Sequence, residues 1–259
     1  MNRDETIRGN CPAVEEIAMD AAAVNVVECA HCGQILQVPA GLTASTITCP
    51  ECASRWIQFP YKILDFVQGT AAWHDWRNQG LGASDAPVIM GENPWKKPEW
   101  LLKAKLGGLS FGSNEAMRRG NELEPEARES YERVRGIKVR PVCLVSTRYE
   151  WLRTSLDGLA HDGSTVIEIK CGKSTYRHAA SKRQVPPYYQ GQLQHILAVT
   201  GLDEIDFWCY MPDRPEVHLC IKRDDPYIER LIEAEEKFWQ ELKRRRELQG
   251  DPEQSESQV

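Results

Sequence analysis

Residues 155–170 read SLDGLAHDGSTVIEIK, with the turn dipeptide Asp162-Gly163 between two β-compatible runs. An Asp-Gly pair in that setting is a strong hairpin signal. A two-residue loop sets His161 against Ser164 and Ala160 against Thr165, and the same count carried outward sets Asp157 against Glu168. Directly opposed side chains have Cβ atoms roughly 5 Å apart, and like charges at that distance destabilise a sheet. The hairpin therefore asks for a cation. A three-residue loop would move Glu168 one place out of line with Asp157, so the opposition of the two acids depends on the turn.

Lys170 lies two residues beyond Glu168 and projects from the same strand face. In an isolated Glu-x-Lys a plain ion pair is the commoner explanation. A third acid comes from the stretch NEAMRRGNELEPEARESYERVRG, where Met117, Gly120, Glu124, Ala127, Tyr131 and Val134 recur at helical spacing and define one packed face. A carboxylate in the middle of that face needs a partner, either Arg118 or Arg128, or a metal ion. Pro125 beside it is expected to kink the helix or mark its first turn. Together Glu124, Asp157 and Glu168, with the backbone carbonyl of Ile169, offer the hard oxygen ligands that Mg²⁺ or Mn²⁺ requires. Such an ion polarises a phosphodiester oxygen and lowers the pKa of bound water. Lys170 would orient that water or stabilise the growing negative charge.

Two flanking segments extend this reading. In VPPYYQGQLQHILAVTG the residues Tyr189, Gln192, Ile196 and Val199 form a helical stripe with one polar member, Gln192, which either holds water or phosphate or is an edge-of-core glutamine. His195 is read as a satisfied packing residue. In RNQGLGASDAPVIMGENPW a Gly-rich turn leads into a helix expected to be capped by Ser84, a natural anion site that Arg77 could reach. Trp73, Trp76, Trp95 and Trp100 are core by default, although one could stack on a base.

The formal net charge of −6 argues mildly against a nucleic-acid partner, yet KCGKSTYRHAASKRQVPPYYQ carries Lys170, Lys173, Arg177, Lys182 and Arg183 with no acid. That stretch is either a solvated loop or a phosphate-facing surface. Much of the negative charge lies near the ends, as in Glu15-Glu16, Glu235-Glu236 and the DPEQSESQV tail. No window has the roughly 20 apolar residues of a membrane span. The first residues, MNRDETIRGN, carry acids and no apolar run, so no secretory signal is read and a cytoplasmic protein is expected.

Four of nine cysteines stand as Cys29-x-x-Cys32 and Cys49-x-x-Cys52, a spacing suited to a tetrahedral S4 zinc ribbon. Gly33 after the first pair and Pro50 inside the second suit knuckle turns, and a disulfide reading lacks an oxidising context. Cys11, Cys143, Cys171, Cys209 and Cys220 are read as small buried residues. The 259 residues then divide into a loosely ordered segment 1–23, a zinc ribbon 24–60, an α/β domain 62–248 and a polar tail 249–259. Helices are expected at 72–79, 85–90, 97–106, across 114–136, at 187–200 and from Pro226 to Leu248. Strands are expected at 137–145, 150–160, 165–170, EIDFWCY and EVHLCIK.

In order, RNQGLGASDAPVIMGENPW, RRGNELEPEARESYE, SLDGL, EIK and YYQGQLQHILAVTG resemble the lambda-exonuclease-like, YqaJ-type viral recombinase nucleases of the PD-(D/E)xK superfamily, over about residues 70–247. The resemblance implies an α/β restriction-endonuclease-like fold, a mixed sheet flanked by helices, with the ribbon outside it. It implies that Asp157, Glu168 and Glu124 bind catalytic Mg²⁺, that Lys170 assists the attacking water, and that Tyr189 and Gln192 form a Y-x-x-Q motif. It further implies that Arg77 and Ser84 hold the 5′ phosphate of a double-stranded DNA end. Such enzymes are 5′-to-3′ exonucleases that feed single strands to an annealing protein, often as ring-shaped oligomers. One departure is Leu156, where the motif has a proline; that proline ligates nothing. A nuclease cutting internally and a non-catalytic adaptor remain the rival expectations.

Overall fold

The structure, a computed structural model, describes residues 24–29, 31–39, 45–107 and 115–250. Residues 1–23 with Cys11, the side chain of Met117 and residues 251–259 of the tail lie outside the described residues. The chain opens with two small antiparallel pairs, β1 (Val24–Glu28) with β2 (Ile35–Pro39) and β3 (Ser45–Thr48) with β4 (Arg55–Gln58). Each pair carries one Cys-x-x-Cys at its turn. Two residues later β5 (Tyr61–Leu64) joins the large sheet. Then come α1 (Ala71–Asn78), α2 (Ala86–Ile89), α3 (Pro98–Lys105) and the long α4 (Glu115–Arg135). The meander β6 (Val139–Ser146), β7 (Arg153–Ala160) and β8 (Val166–Lys170) follows. Next are α5 (Lys173–Lys182), a 3-10 turn at Pro187–Tyr189 and α6 (Gln190–Thr200). The last elements are β9 (Glu204–Cys209), β10 (Val217–Lys222) and α7 (Asp225–Gly250).

The large sheet has the order β10-β9-β8-β7-β6-β5, antiparallel throughout except for the parallel pair β8 and β9. A parallel neighbour needs a crossover, and α5 and α6 supply it. Alternation along β8 sorts the two faces. Ile167 and Ile169 pack with Trp208 and Tyr210 against Ala127 and Tyr131 of α4. Val166, Phe207 and Leu219 face Leu193, Ile196 and Leu197 of α6 and Ile228 and Ile232 of α7. The expected mixed sheet flanked by helices is the observed architecture.

Several local expectations are corrected. The hairpin loop is wider than two residues, because the Gly163 N–H donates to the Ala160 carbonyl (3.0 Å) and the Ala160 N–H to the Thr165 carbonyl (2.8 Å). Gly163 takes φ 73°, a left-handed turn position suited to glycine. The register is nevertheless the expected one, with Gly158 opposite Ile167 and Leu159 opposite Val166. The ladder stops there, so the expected opposition of Asp157 and Glu168 is not a ladder pair; the Asp157 carboxylate instead accepts the Ile169 N–H.

Pro125 lies inside α4, which runs through it unbroken. Val134 is exposed, so the buried stripe of α4 ends at Tyr131, whose hydroxyl donates to Asp206 at 2.7 Å. The basic stretch folds in part as α5, unforeseen from sequence, with Thr175, Tyr176 and Ala179 buried. α6 is buried nearly all round rather than along one stripe. Ser84 does not cap α2; Asp85 occupies that position, and its carboxylate accepts from the Gly82 N–H (2.9 Å). Trp76 is core, but Trp95 is 72% exposed. Cys143 and Cys209 are buried as expected, Cys171 is half-buried and Cys220 is exposed.

Candidate active site

β7 carries one extra residue against β6, since Arg140 pairs with Leu159 and Val142 with Leu156. The bulge falls at Asp157-Gly158, with Pro141 opposite. A bulge re-aims a side chain and bends its strand. Here Leu156 and Leu159 both join the α6-side core, and Gly158 sits where a Cβ would come within 2.8 Å of Ile167 and 2.9 Å of Val139. Past Gly158 the β7–β8 pairing ends, and the Asp157 carboxylate accepts the Ile169 N–H at 2.7 Å. Neighbouring groups of one strand residue point to the same edge, so the Ile169 carbonyl is turned towards Asp157 as well.

The other expected residues arrive from both faces of this split. Glu124 on α4 pairs with Arg128 (2.5 Å), whose Nε also donates to the Asp157 carbonyl at 2.7 Å. Glu168, 2% exposed, accepts from Lys170 and from the Gln192 amide at 2.6 Å. The Lys170 ammonium lies 4.9 Å from the centre of the Tyr189 ring, and the Tyr189 hydroxyl is 3.3 Å from Thr175. Glu124, Asp157, Glu168, Ile169, Lys170, Tyr189 and Gln192 are thus brought together. Lys173 is exposed at the first residue of α5.

The electrostatics reflect crowding of like charge. Burial, then repulsion from Asp157, pushes both Glu124 and Glu168 up to about 7. Burial also raises Asp157 against the pull of Lys170 and the Ile169 N–H. Burial alone would lower Lys170, but Glu168, Tyr189 and Asp157 outweigh it and hold the ammonium charged. Three acids thus face two cations, Lys170 and Arg128. A hard divalent ion suits this donor set, relieving repulsion that the protein leaves standing. Each carboxylate also accepts from a protein donor, and the three do not approach one another as closely as the cysteine cluster described below.

Arg77 and Ser84 do meet, at 2.7 Å, and the guanidinium lies 4.6 Å from the centre of the Trp73 ring. Backbone donors behind them are partly taken, because Gly82 serves Asp85. Asp85 is part of a buried pair that sequence reasoning missed, with Lys105 2.8 Å away and Lys105 also donating to the Gly80 carbonyl at 2.9 Å. Burial works to raise Asp85, but Lys105 and Arg77 prevail and hold it below its ordinary value. Of the two partners expected for Glu124, Arg128 is the one it has, at i,i+4; what sequence reasoning missed is that the same guanidinium also holds the Asp157 carbonyl.

The four ribbon cysteines form the second candidate centre. Their Sγ atoms all lie within 4.8 Å of one another, with Cys29 to Cys52 and Cys32 to Cys49 at 3.6 Å. Tetrahedral zinc with Zn–S near 2.3 Å has sulfur–sulfur edges of roughly 3.8 Å. The knuckles are equivalent: Gly33 and Ala53 donate back to the carbonyls of Cys29 and Cys49, at φ 74° and 57°. The Ser54 hydroxyl, with the Cys32 and His31 N–H groups, draws Cys29 down to about 6, while Cys32 beside its neighbours rises to about 12. A bound cation resolves that competition in favour of four thiolates.

Among relatives, the chain is 30% identical over 173 residues to the uncharacterized protein YqaJ of Bacillus subtilis (strain 168), covering 64% of this chain and 54% of that one. It therefore spans about half the length of this curated relative. The crystal structure of an alkaline exonuclease, LHK-Exo, from Laribacter hongkongensis matches with a TM-score of 0.62 at 28% identity, covering 70% of this chain and 96% of that one. LHK-Exo in complex with dAMP matches with a TM-score of 0.61 at 29% identity, over 69% and 95% of the two chains. Residues 72–203, just over half of the chain, match the model of the YqaJ-like viral recombinase domain, and the chain belongs to that family.

Proposed function

We propose that the chain is a Mg²⁺-dependent deoxyribonuclease that digests duplex DNA from its ends, 5′ to 3′. The observation that carries this is the meeting of Glu124, Asp157 and Glu168 with Lys170 at the split between β7 and β8. Likeness to a solved alkaline exonuclease supports it. Glu124, Asp157, Glu168 and the Ile169 carbonyl would hold Mg²⁺ or Mn²⁺. Bound there, the ion supplies Lewis acidity towards a phosphodiester oxygen and acidifies water.

The remaining work falls to the chain. Lys170, kept charged by its neighbours, orients the attacking water or meets the charge that grows on the phosphate. Gln192 fixes Glu168 from α6, and Arg128 fixes Glu124 and the Asp157 backbone from α4. Arg77 and Ser84 bind the 5′ phosphate of the end, and Lys173, exposed at the first residue of α5, meets the DNA backbone. Residues 24–60 form a zinc ribbon on Cys29, Cys32, Cys49 and Cys52 ahead of the catalytic domain. A ring-shaped oligomer and an annealing protein that takes up the single strands complete the reading.

One assay decides among readings. Linear duplexes with 5′ phosphate or 5′ hydroxyl and a closed circle are incubated with Mg²⁺, with Asp157→Ala as control. Digestion of the phosphorylated linear duplex alone is expected, lost in the variant. Loss of the closed circle would replace the exonuclease by an internally cutting nuclease. Binding without cleavage would leave an adaptor.

A further inference from the structure

We propose that Trp95, backed by Tyr188, is a stacking subsite for an unpaired nucleobase beside the catalytic acids; this rests on the nuclease reading and adds a ligand contact to it. Trp95 is 72% exposed. Exposure of a side chain that large is informative when the backbone beneath it is rigid. Here the Glu92 and Asn93 N–H groups both donate to the Pro87 carbonyl, at 2.8 and 2.9 Å. The Asn93 side-chain oxygen in turn accepts the N–H groups of Trp95 and Lys96, each at 2.9 Å. The indole is thus presented to solvent from a fixed loop.

Its ring is also the outer member of a row. Trp95 meets Tyr188 edge-on, with centroids 5.0 Å apart and planes at 71°. Tyr188 meets Tyr189 at 4.7 Å, and the Tyr189 ring carries the Lys170 ammonium at 4.9 Å. Two ring-to-ring steps therefore connect open solvent to the lysine at the catalytic acids. Every nucleobase has a π-face, so such a row takes bases without reading sequence. Bases within a duplex have both faces covered by their neighbours, so the ligand is an unpaired base of the strand passing the site. Exposed Lys97, two residues on, supplies charge for the accompanying phosphate.

The test uses full-length, zinc-loaded protein in the Asp157→Ala background, where cleavage is off. Trp95→Ala and Trp95→Phe are compared for affinity to a fluorescent oligothymidylate and to a blunt duplex of equal length. Trp95→Ala should weaken single-strand binding roughly five- to a hundredfold, Trp95→Phe much less, and duplex binding should change little in either. Unchanged single-strand affinity in Trp95→Ala, or equal losses on both probes, would overturn the subsite. A change in sedimentation of Trp95→Ala without DNA would assign the ring to a contact between copies and overturn it too. Cleavage is read separately on the Asp157-containing chain, so failure of the nuclease reading appears as intact duplex with Mg²⁺.

Discussion

Arg128 shows how much of the site's precision rests on one side chain. It holds the Glu124 carboxylate and the Asp157 backbone carbonyl from the same guanidinium, so its loss releases an acid on α4 and the main chain beneath another on β7. Arg128→Met should lower kcat by about tenfold to a hundredfold with KM for duplex little changed, because displacements near 1 Å are enough for such losses. Equal kcat in the variant would make Arg128 a bystander. His195 and Glu235 form a second one-residue lesson. Both are fully buried, Nδ1 lies 2.7 Å from Glu235, and Nε2 must carry its proton to serve the Arg153 carbonyl at 2.9 Å. One proton is therefore shared between ring and carboxyl, and the pair is neutral as a whole. Glu235→Gln keeps a donor towards Nδ1 and should cost less than about 1 kcal/mol, whereas His195→Ala strands a buried acid and should cost about 3–5 kcal/mol. Denaturant melts read both values. Neither fact about Glu235 was legible in the sequence, where Glu235-Glu236 reads as surface charge; its partner is 40 residues away.

At the scale of elements, the bulge in β7 is what turns a hairpin into a site. Gly158 lies against Ile167 and Val139 with no room for a methyl group. Gly158→Ala should destabilise the fold by about 1–3 kcal/mol through overpacking and depress cleavage further than the stability loss explains, because Asp157 shares the bulge. A variant that melts lower yet cleaves at the parental rate at low temperature would separate the bulge from catalysis. The strands and long helices were legible because periods of two and of three to four are local properties of the chain. So was the β7–β8 register at Gly158 and Leu159, which needs only a turn and a count, although that ladder stops short of pairing Asp157 with Glu168. The bulge was not, since it exists only relative to β6, nor was α5, whose buried face offers just Thr175, Tyr176 and Ala179 amid basic residues. The cap expected at Ser84 failed for a related reason: Asp85, one residue on, is anchored by Lys105 from a different helix.

For the whole molecule, the three acids link folding to pH. Glu124 and Glu168 titrate near 7 in the folded chain and near the ordinary value of 4.5 when unfolded, so the folded state binds more protons between those values. Their contribution to stability is greatest below about 4.5 and is lost as pH rises through 7. A divalent ion reverses the penalty by replacing protons. Millimolar Mg²⁺ should therefore raise Tm more at pH 8 than at pH 5, and the difference should vanish in Glu124→Gln/Glu168→Gln. An equal rise at both values would mean that the ion binds elsewhere.

The short junction between β4 and β5 sets a length scale. Only Phe59 and Pro60 separate those strands; Phe59 stacks on Tyr61 at 5.2 Å and lies against the hairpin tip at Gly163, while Thr147 donates to the Pro60 carbonyl at 2.9 Å. The cysteine-bearing strands are thus fastened near one end of the β7–β8 hairpin, and the acids stand near the other. From Asp157 to the end of β7 at Ala160 is three residues, roughly 10 Å of strand. The hairpin therefore sets the acids and the Phe59 contact at its tip a fixed distance apart.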